Sequence, residues 1–450
     1  MNRIPSKIKI TSVIVASLFF GLMGMKDGVA QETLNLDDAI RIGLERNFAI
    51  RIAENNTRIS ENNNSLGNAG FLPVISADGA INKRIEDNET RYGSGAPIPD
   101  RNDEGAETTV YNYGVNASWR IFDGLTMFAT LDRLSTLSEI SEVEARNRVE
   151  LVLADIITGY YEIAGQQKAA QVLENTVEIS EERIRIAETA RDLGSGSEYE
   201  LLLARADMNT DQAALIRTKT NLNQLKVLLT TILGDTTEAA FTVQPEIELA
   251  GKLSLENMIA EAVAQNRELT IARLTEQAAE AEIRELRGDW FPQVDVSGGY
   301  AYSRTEASTG FSEFSQSQGF RYGISASVNL FDGFNKQRRQ ENARIALKNE
   351  QLRRQDLELQ VRANVSRVYA QYDDALSLIE LEEENLEINK QTVEIALERF
   401  ELGTINSIEL REAQQSLLNA ENRLIEAQIT AKSAEIELLR LSGRLLSQIE

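Results

Sequence analysis

YGVNASWRIFDG, Tyr113 to Gly124, alternates like a strand and stops at Phe-Asp-Gly, and YGISASVNLFDG, Tyr322 to Gly333, is a near copy of it 209 positions later. The likeness extends on both sides. LNLDDAIRIGLERN (Leu34 to Asn47) matches LSLENMIAEAVAQN (Leu253 to Asn266) at an offset of 219, which also brings FLP (Phe71 to Pro73) onto WFP (Trp290 to Pro292). From Phe-Asp-Gly onward the offset is 209, without a gap, through ILG (Ile232 to Gly234) and LSG (Leu441 to Gly443). One structural unit is therefore written twice. The expected division is a leader over 1–30, a first repeat over 31–234, a linker over 235–252 and a second repeat over 253–450. Each repeat reads as helix, two strands, long helix, tip turn, helix, and the first holds a loop ten residues longer.

The spacing of helix breakers sets the scale. From Phe334 to Leu402 there are 69 residues with neither Gly nor Pro, which as one helix span about 104 Å. Val365, Tyr372, Ile379, Leu386, Val393 and Phe400 recur every seven residues, and the first copy repeats the seam with Ile156, Ile163, Ala170, Val177 and Ile184. After each turn the pattern resumes, as in Leu410, Leu417, Leu424, Ala431 and Leu438. Sustained heptads mean coiled-coil packing against other helices. Leu253 to Arg287 and Thr404 to Ser442, free of Gly and Pro over 35 and 39 residues, together match the long helix, so two short helices stacked end to end fit alongside it.

Between the first short helix and the long one, each copy has two strand patterns. Val294, Val296, Gly298, Tyr300 and Tyr302 share a face, as do Tyr322, Ile324, Ala326, Val328 and Leu330 on the returning strand. The first copy offers Ile75, Ala77, Gly79 and Ile81, then Tyr111, Tyr113, Val115, Ala117, Trp119 and Ile121. Strands of about ten residues, apolar outside and small or polar inside with aromatic rims, are the pattern of an outer-membrane barrel. Alternation alone also allows a soluble hairpin covered by the helices, though the pattern favours the membrane. Four strands cannot close a barrel, and open edges in lipid leave backbone groups unsatisfied, so a barrel needs other copies. Three copies supply twelve strands.

Composition removes whole classes of function. Cysteine and histidine are both absent, which excludes disulfides, thiol catalysis, Cys or His zinc sites, every triad with a histidine base, and a cysteine acceptor for a lipid anchor. The net charge of −23 disfavours nucleic acid and anionic membrane surfaces. No Asp/Glu pair stands isolated in an apolar stretch, so the chain does not read as an enzyme and calls for no cofactor or metal. Arg3, Lys7 and Lys9 precede an uncharged run from Ile10 to Met25 closed by Gly28, Val29 and Ala30, the layout of a secretory signal peptide.

The order of these features, occurring twice, resembles the TolC-like outer-membrane efflux family over essentially all of residues 34 to 445. The resemblance implies a homotrimeric duct: a small barrel in the outer membrane of a Gram-negative bacterium, continued by a mostly helical tunnel through the periplasm. Its partners would be outer-membrane lipid, a periplasmic adaptor protein and an inner-membrane pump of the RND, ABC or similar type, for efflux or type I secretion. A structural periplasmic coiled coil without channel activity remains the alternative that heptads alone allow.

Three sets of residues follow. Phe122, Asp123, Gly124 and Phe331, Asp332, Gly333 would hand each strand over to its helix, the aspartates capping free amides and the glycines turning the backbone. The matched turns RDLGSGSEYELLLAR (Arg191 to Arg205) and FELGTINSIELREAQ (Phe400 to Gln414) form the tip. There, family position implies adaptor docking around Leu193, Gly194, Ser195, Leu402, Gly403 and Thr404. It also implies a pore constriction at Glu409 and Glu412, an i, i+3 pair, with Glu200 in the first copy, where Leu203 replaces the second acid. Three copies of the pair would ring a narrow mouth with carboxylates and favour cations. Where the best-known member of the family latches its closed tip with a Tyr and an Arg, this chain has Phe400 and Ile405.

Overall fold

The computed structural model describes residues 32–235 and 241–448. The segment read as a leader lies outside them. Eight helices, six strands and a short terminal 3₁₀ turn are found among the described residues. After a three-residue strand β1 (Glu32–Leu34), the first repeat contains α1 (Leu36–Arg46), α2 (Phe48–Asn63), β2 (Val74–Thr90), β3 (Arg101–Phe122), α3 (Thr126–Asp192) and α4 (Glu198–Ile232). β4 (Phe241–Val243) follows, then α5 (Leu255–Gln265), α6 (Arg267–Gly288), β5 (Gln293–Ala307), β6 (Phe314–Ser327), α7 (Asn335–Glu401) and α8 (Ser407–Leu441). α3 and α7 are each 67 residues long and α4 and α8 each 35, so the long helices span about 100 Å.

Heptad positions become the packing surface. Ile156, Ile163, Ala170 and Val177 of α3, Val365, Tyr372 and Val393 of α7, and Leu410, Ala431 and Leu438 of α8 are buried. α3 is the central column: it packs on α1, α2 and α4 of its own repeat and on α6 and α8 of the other. α7 packs on α5, α6 and α8. The expected stacking of short helices along each long one is present.

The first short helix of each repeat is, however, two helices rather than one. Asn47 and Asn266 leave helical geometry, with ψ near 125° and 129°. Each caps the helix that follows, Asn47 Oδ1 accepting from the Ala49 and Ile50 amides and Asn266 Oδ1 from the Leu269 amide. Each also donates from Nδ2 to the end of the closing helix, Asn47 to the Ile232 carbonyl at 2.7 Å and Asn266 to Leu441 at 3.1 Å. Gly234 and Gly443 turn those ends at φ +71° and +70°, and a Cβ there would sit 2.7 Å from the Arg46 carbonyl oxygen and 2.8 Å from that of Gln265. A helical asparagine would forfeit both contacts. Nearby, the Tyr160 hydroxyl donates to the Leu34 carbonyl and that of Tyr369 to Leu253, fixing the chain that enters each repeat.

The strands form one antiparallel sheet in the order β2-β3-β5-β6, leaving β2 and β6 as open edges. Tyr113 lies opposite Gly79 and Tyr302, Val115 opposite Ala77 and Tyr300, and Tyr300 opposite Phe320. The expected apolar face is therefore continuous across all four strands. Asp78 accepts from Asn116 Nδ2, and Arg120 pairs with Asp295, on the other face. The strands run longer than ten residues, β2 to Thr90 and β3 from Arg101, leaving 91–100 as the connection. Charged cross-strand pairing, such as Lys83 with Glu107 at 2.8 Å, carries the ladder past the apolar band, and Gly105 at φ +65° takes up a register slip between Glu86 and Asn88. Val328 and Leu330 lie outside β6, because β5 begins at Gln293, opposite Ser327, and offers nothing further to pair with.

Asn266→Ala removes a helix cap and a helix-to-helix hydrogen bond together. The expected loss is about 1–2 kcal/mol of stability, read as a lower denaturation midpoint relative to the unaltered protein.

Candidate functional site: the two ends of the helical hairpins

At the sheet end, the Asp-Gly step builds a cap. Asp123 Oδ2 accepts from the Met127 amide at 2.9 Å and Asp332 Oδ2 from Lys336 at 3.0 Å. Gly124 and Gly333 adopt φ +72° and +69°, and Leu125 and Phe334 follow in the same left-handed region. Two consecutive left-handed residues, the second not a glycine, are costly in isolation. Gly124 is further constrained by close approach, since a Cβ would lie 2.5 Å from the Gly288 carbonyl oxygen. Phe122 ends β3, whereas Phe331 lies past β6 and stacks edge-on with Phe334 at 5.3 Å.

The far end lies one long helix away, about 100 Å from the sheet. Both tip turns close alike. The Ser195 amide donates to the Ala190 carbonyl and Thr404 to Arg399, each 2.9 Å, with Gly194 and Gly403 at φ +76° and +70°; this is the glycine-dependent helix end expected of Leu-Gly. Leu193 and Leu402 project into solvent beside the exposed Ser195 and Thr404. α4 and α8 then start on capping residues: Ser197 and Glu200 form a reciprocal box, while Asn406 Oδ1 accepts from the Ile408 and Glu409 amides and its Nδ2 donates to Glu409 Oε1 at 2.8 Å. Glu200 and Glu409 thus have a local structural task. Glu409 and Glu412 are both exposed, and Glu412 makes no capping contact. Phe400 and Ile405 are half-buried beside the turn.

A charged cluster just above the tip joins the two hairpins. Arg183 of α3, only 1% exposed, donates to Asp207 of α4 at 3.1 Å, to the Ser407 hydroxyl of α8 at 2.8 Å and to Gln414 Oε1 at 3.4 Å. Arg411 of α8 forks onto both carboxylate oxygens of Asp211 of α4 at 2.8 and 2.7 Å, and Asp211 also accepts from the Ser180 hydroxyl at 2.7 Å. Burial pulls the Arg183 guanidinium below its ordinary value against the opposing pull of Asp207. For Arg411 the same burial is outweighed by Asp211, which holds it above. Removing one member of a buried pair of this kind costs roughly 3–5 kcal/mol. Sequence reasoning missed this cluster. Its signal was an arginine on the stripe Val177, Ser180, Arg183, Ala187, where every position is buried.

Midway along α3, a groove walled by α4 and α8 is lined by Asp155, Gly159, Glu162, Leu228, Ile436 and Glu437. Burial raises the carboxyl groups of Asp155 and Glu162 above their ordinary range, and for Glu162 no cation offsets it.

Two long helical hairpins carrying a four-stranded sheet with an apolar face at one end are the architecture of the outer-membrane efflux channels. The chain belongs to the outer membrane efflux protein family, whose model matches residues 39–235 and again 258–444. It is 25% identical to Protein CyaE of Bordetella pertussis over 340 residues, covering 74% of this chain and 70% of the relative. To Outer membrane efflux protein BepC of Brucella suis it is 18% identical over 438 residues, 96% and 90% of the two chains. A solved CusC channel superposes with a TM-score of 0.73 at 17% identity, covering 94% of this chain and 95% of that one.

Glu162→Gln removes a carboxylate whose charged form the fold disfavours. The variant gains stability at pH 8, and the gain fades as the pH falls toward the ordinary glutamate value of 4.5, where the native carboxyl is itself protonated; melting curves at the two pH values check this.

Proposed function

We propose that the protein is a passive homotrimeric duct, its barrel in the outer membrane and its helical tunnel crossing the periplasm, working with a periplasmic adaptor and an inner-membrane RND, ABC or similar pump. The observation that carries this reading is the open sheet: four strands with an apolar face and two free edges, at one end of hairpins about 100 Å long. Lipid tolerates no unpaired edge, and three copies make a closed twelve-stranded barrel. Members of the family are channels rather than enzymes. In this duct Glu409 and Glu412 form the periplasmic constriction with Glu200 beside them, and the surface around Leu193, Gly194, Ser195, Leu402, Gly403 and Thr404 receives the adaptor.

The internal repeat supports self-association independently. Within the chain, buried Glu150 of α3 pairs with Arg267 of α6 at 3.1 Å. The repeat offsets place Leu359 and Phe48 at the equivalent positions, and these are 68% and 64% exposed in the single chain. Ile345, Leu352 and Leu359 continue this exposed heptad along α7. An ion pair inside the chain thus has as its counterpart an apolar pair, Leu359 of one copy on Phe48 of the next.

Single-channel recording in a planar bilayer is the functional test: a small cation-selective conductance is expected, with reversal potential shifted toward non-selectivity by Glu409→Gln/Glu412→Gln. Inserted protein that passes current with unchanged selectivity in the variant removes the constriction assignment. Leu359→Asp is expected to shift the detergent-extracted protein from three chains toward one, measured by light scattering.

A further inference from the structure

The second hairpin departs from the first at one groove. Asp374, Ala375, Leu378 and Glu382 of α7 and Arg423, Glu426 and Ala427 of α8 line a space of about 400 Å³, the size of a small-molecule site. Moving back by 209 gives the equivalent positions of the first hairpin: Gly165 for Asp374, Leu173 for Glu382, Ala214 for Arg423 and Arg217 for Glu426. The second hairpin therefore has three carboxylates and a guanidinium where the first has a single arginine.

Only one of those carboxylates is neutralised. Glu382, 7% exposed, is gripped by Arg423 at 2.7 and 3.0 Å, a contact that holds its carboxyl below the ordinary range. Asp374 on α7 and Glu426 on α8 are exposed, and neither has an ion-pair partner among the described residues. The groove also carries apolar surface, from buried Ala375 and Ala427 and from Leu378, which is 48% exposed.

The groove lies on the inner side of the hairpin. Tyr369 and Tyr372 donate to the Leu253 and Ala250 carbonyls and so hold the incoming chain on one face of α7. Asp374 is about 200° around the helix from Tyr372, and Leu378 about 180° from Tyr369. In the trimer proposed above, on which this placement rests, the incoming chain lies outside and the groove opens into the lumen. In the first hairpin a Cβ on Gly165 would run into Ile429 of α8. The offset makes Thr220 of the next copy the counterpart of Ile429, a shorter side chain opposite Asp374.

We propose that this groove binds amphipathic organic cations in the lumen, the positive group against Asp374 and Glu426 and the apolar body against Ala375, Leu378 and Ala427. Charge and surface select together. A small inorganic cation gains nothing from the apolar wall, and a neutral apolar molecule leaves both carboxylates without a counter-charge.

The probe is tetraphenylphosphonium, one positive charge in an apolar shell, titrated calorimetrically into the detergent-extracted protein, with neutral triphenylphosphine oxide for comparison. Saturable binding of the cation alone is expected. Asp374→Asn/Glu426→Gln is expected to weaken it about tenfold, and Leu378→Gln about threefold through lost apolar contact. All three positions are exposed, so the variants keep the fold, which an unchanged melting temperature checks. Binding that survives both variants, or none to the unaltered protein, overturns the proposal. So does binding that is lost in Glu409→Gln/Glu412→Gln and kept in the groove variant, which places the cation at the tip. The titration needs no current, so its outcome is separate from that of the duct reading. In planar bilayers, tetraphenylphosphonium is expected to lower the conductance of the unaltered protein and not that of the groove variant; a groove that binds without lowering any current overturns the lumenal placement alone.

Discussion

A helix of 67 residues has little stability alone and depends on what it buries along its length. α3 meets this constraint by serving as the column on which α1, α2, α4, α6 and α8 all pack. α7 has the same length and the same heptad seam, yet part of its surface stays bare, with Ile345, Leu352, Leu359, Leu381, Ile388 and Ile395 all exposed. The difference between two helices of equal length is that α3 is covered on both sides while part of α7 is left bare. The open edges of β2 and β6 state the same incompleteness in hydrogen bonds.

Duplication supplies repeated solutions, and departures from it carry information. Asn47 and Asn266, Gly234 and Gly443, Asp123 and Asp332, and the two Leu-Gly turns each recur in equivalent geometry. Where the repeats diverge, the contact inside the chain differs in chemistry from the equivalent exposed surface. Glu150 and Arg267 inside become Leu359 and Phe48 outside, and the Arg183 cluster inside becomes Thr392, Ser416 and Ala420 outside. Charges are placed where one chain folds on itself, and apolar or uncharged residues at the equivalent exposed positions.

Much of this was legible in the sequence because it rests on periodicity and on breakers. Heptads fixed which faces of α3, α7 and α8 are buried, and the positive-φ glycines of the turns fell where Leu-Gly and Phe-Asp-Gly predicted them. The helix breaks at Asn47 and Asn266 were hidden because asparagine is also tolerated within a helix, and its capping partner lies 185 or 175 positions away, at Ile232 or Leu441. The charged extension of β2 and β3 was hidden because alternation is visible in sequence only when one face is apolar. The Arg183 cluster depends on three helices converging, and the local pattern shows only an arginine on a stripe of buried positions, not its partners. Glu409 and Glu412 show the reverse limit: position marked them, and the fold gives Glu409 a capping contact in addition.

The central claim is that one chain is a third of a closed, hollow duct. Electron cryomicroscopy of the protein extracted from the outer membrane in detergent tests it most directly. The account predicts threefold particles with a twelve-stranded barrel continuous with a helical tunnel about 100 Å long. Single chains, or a soluble helical bundle whose sheet is folded against its own helices, would contradict it.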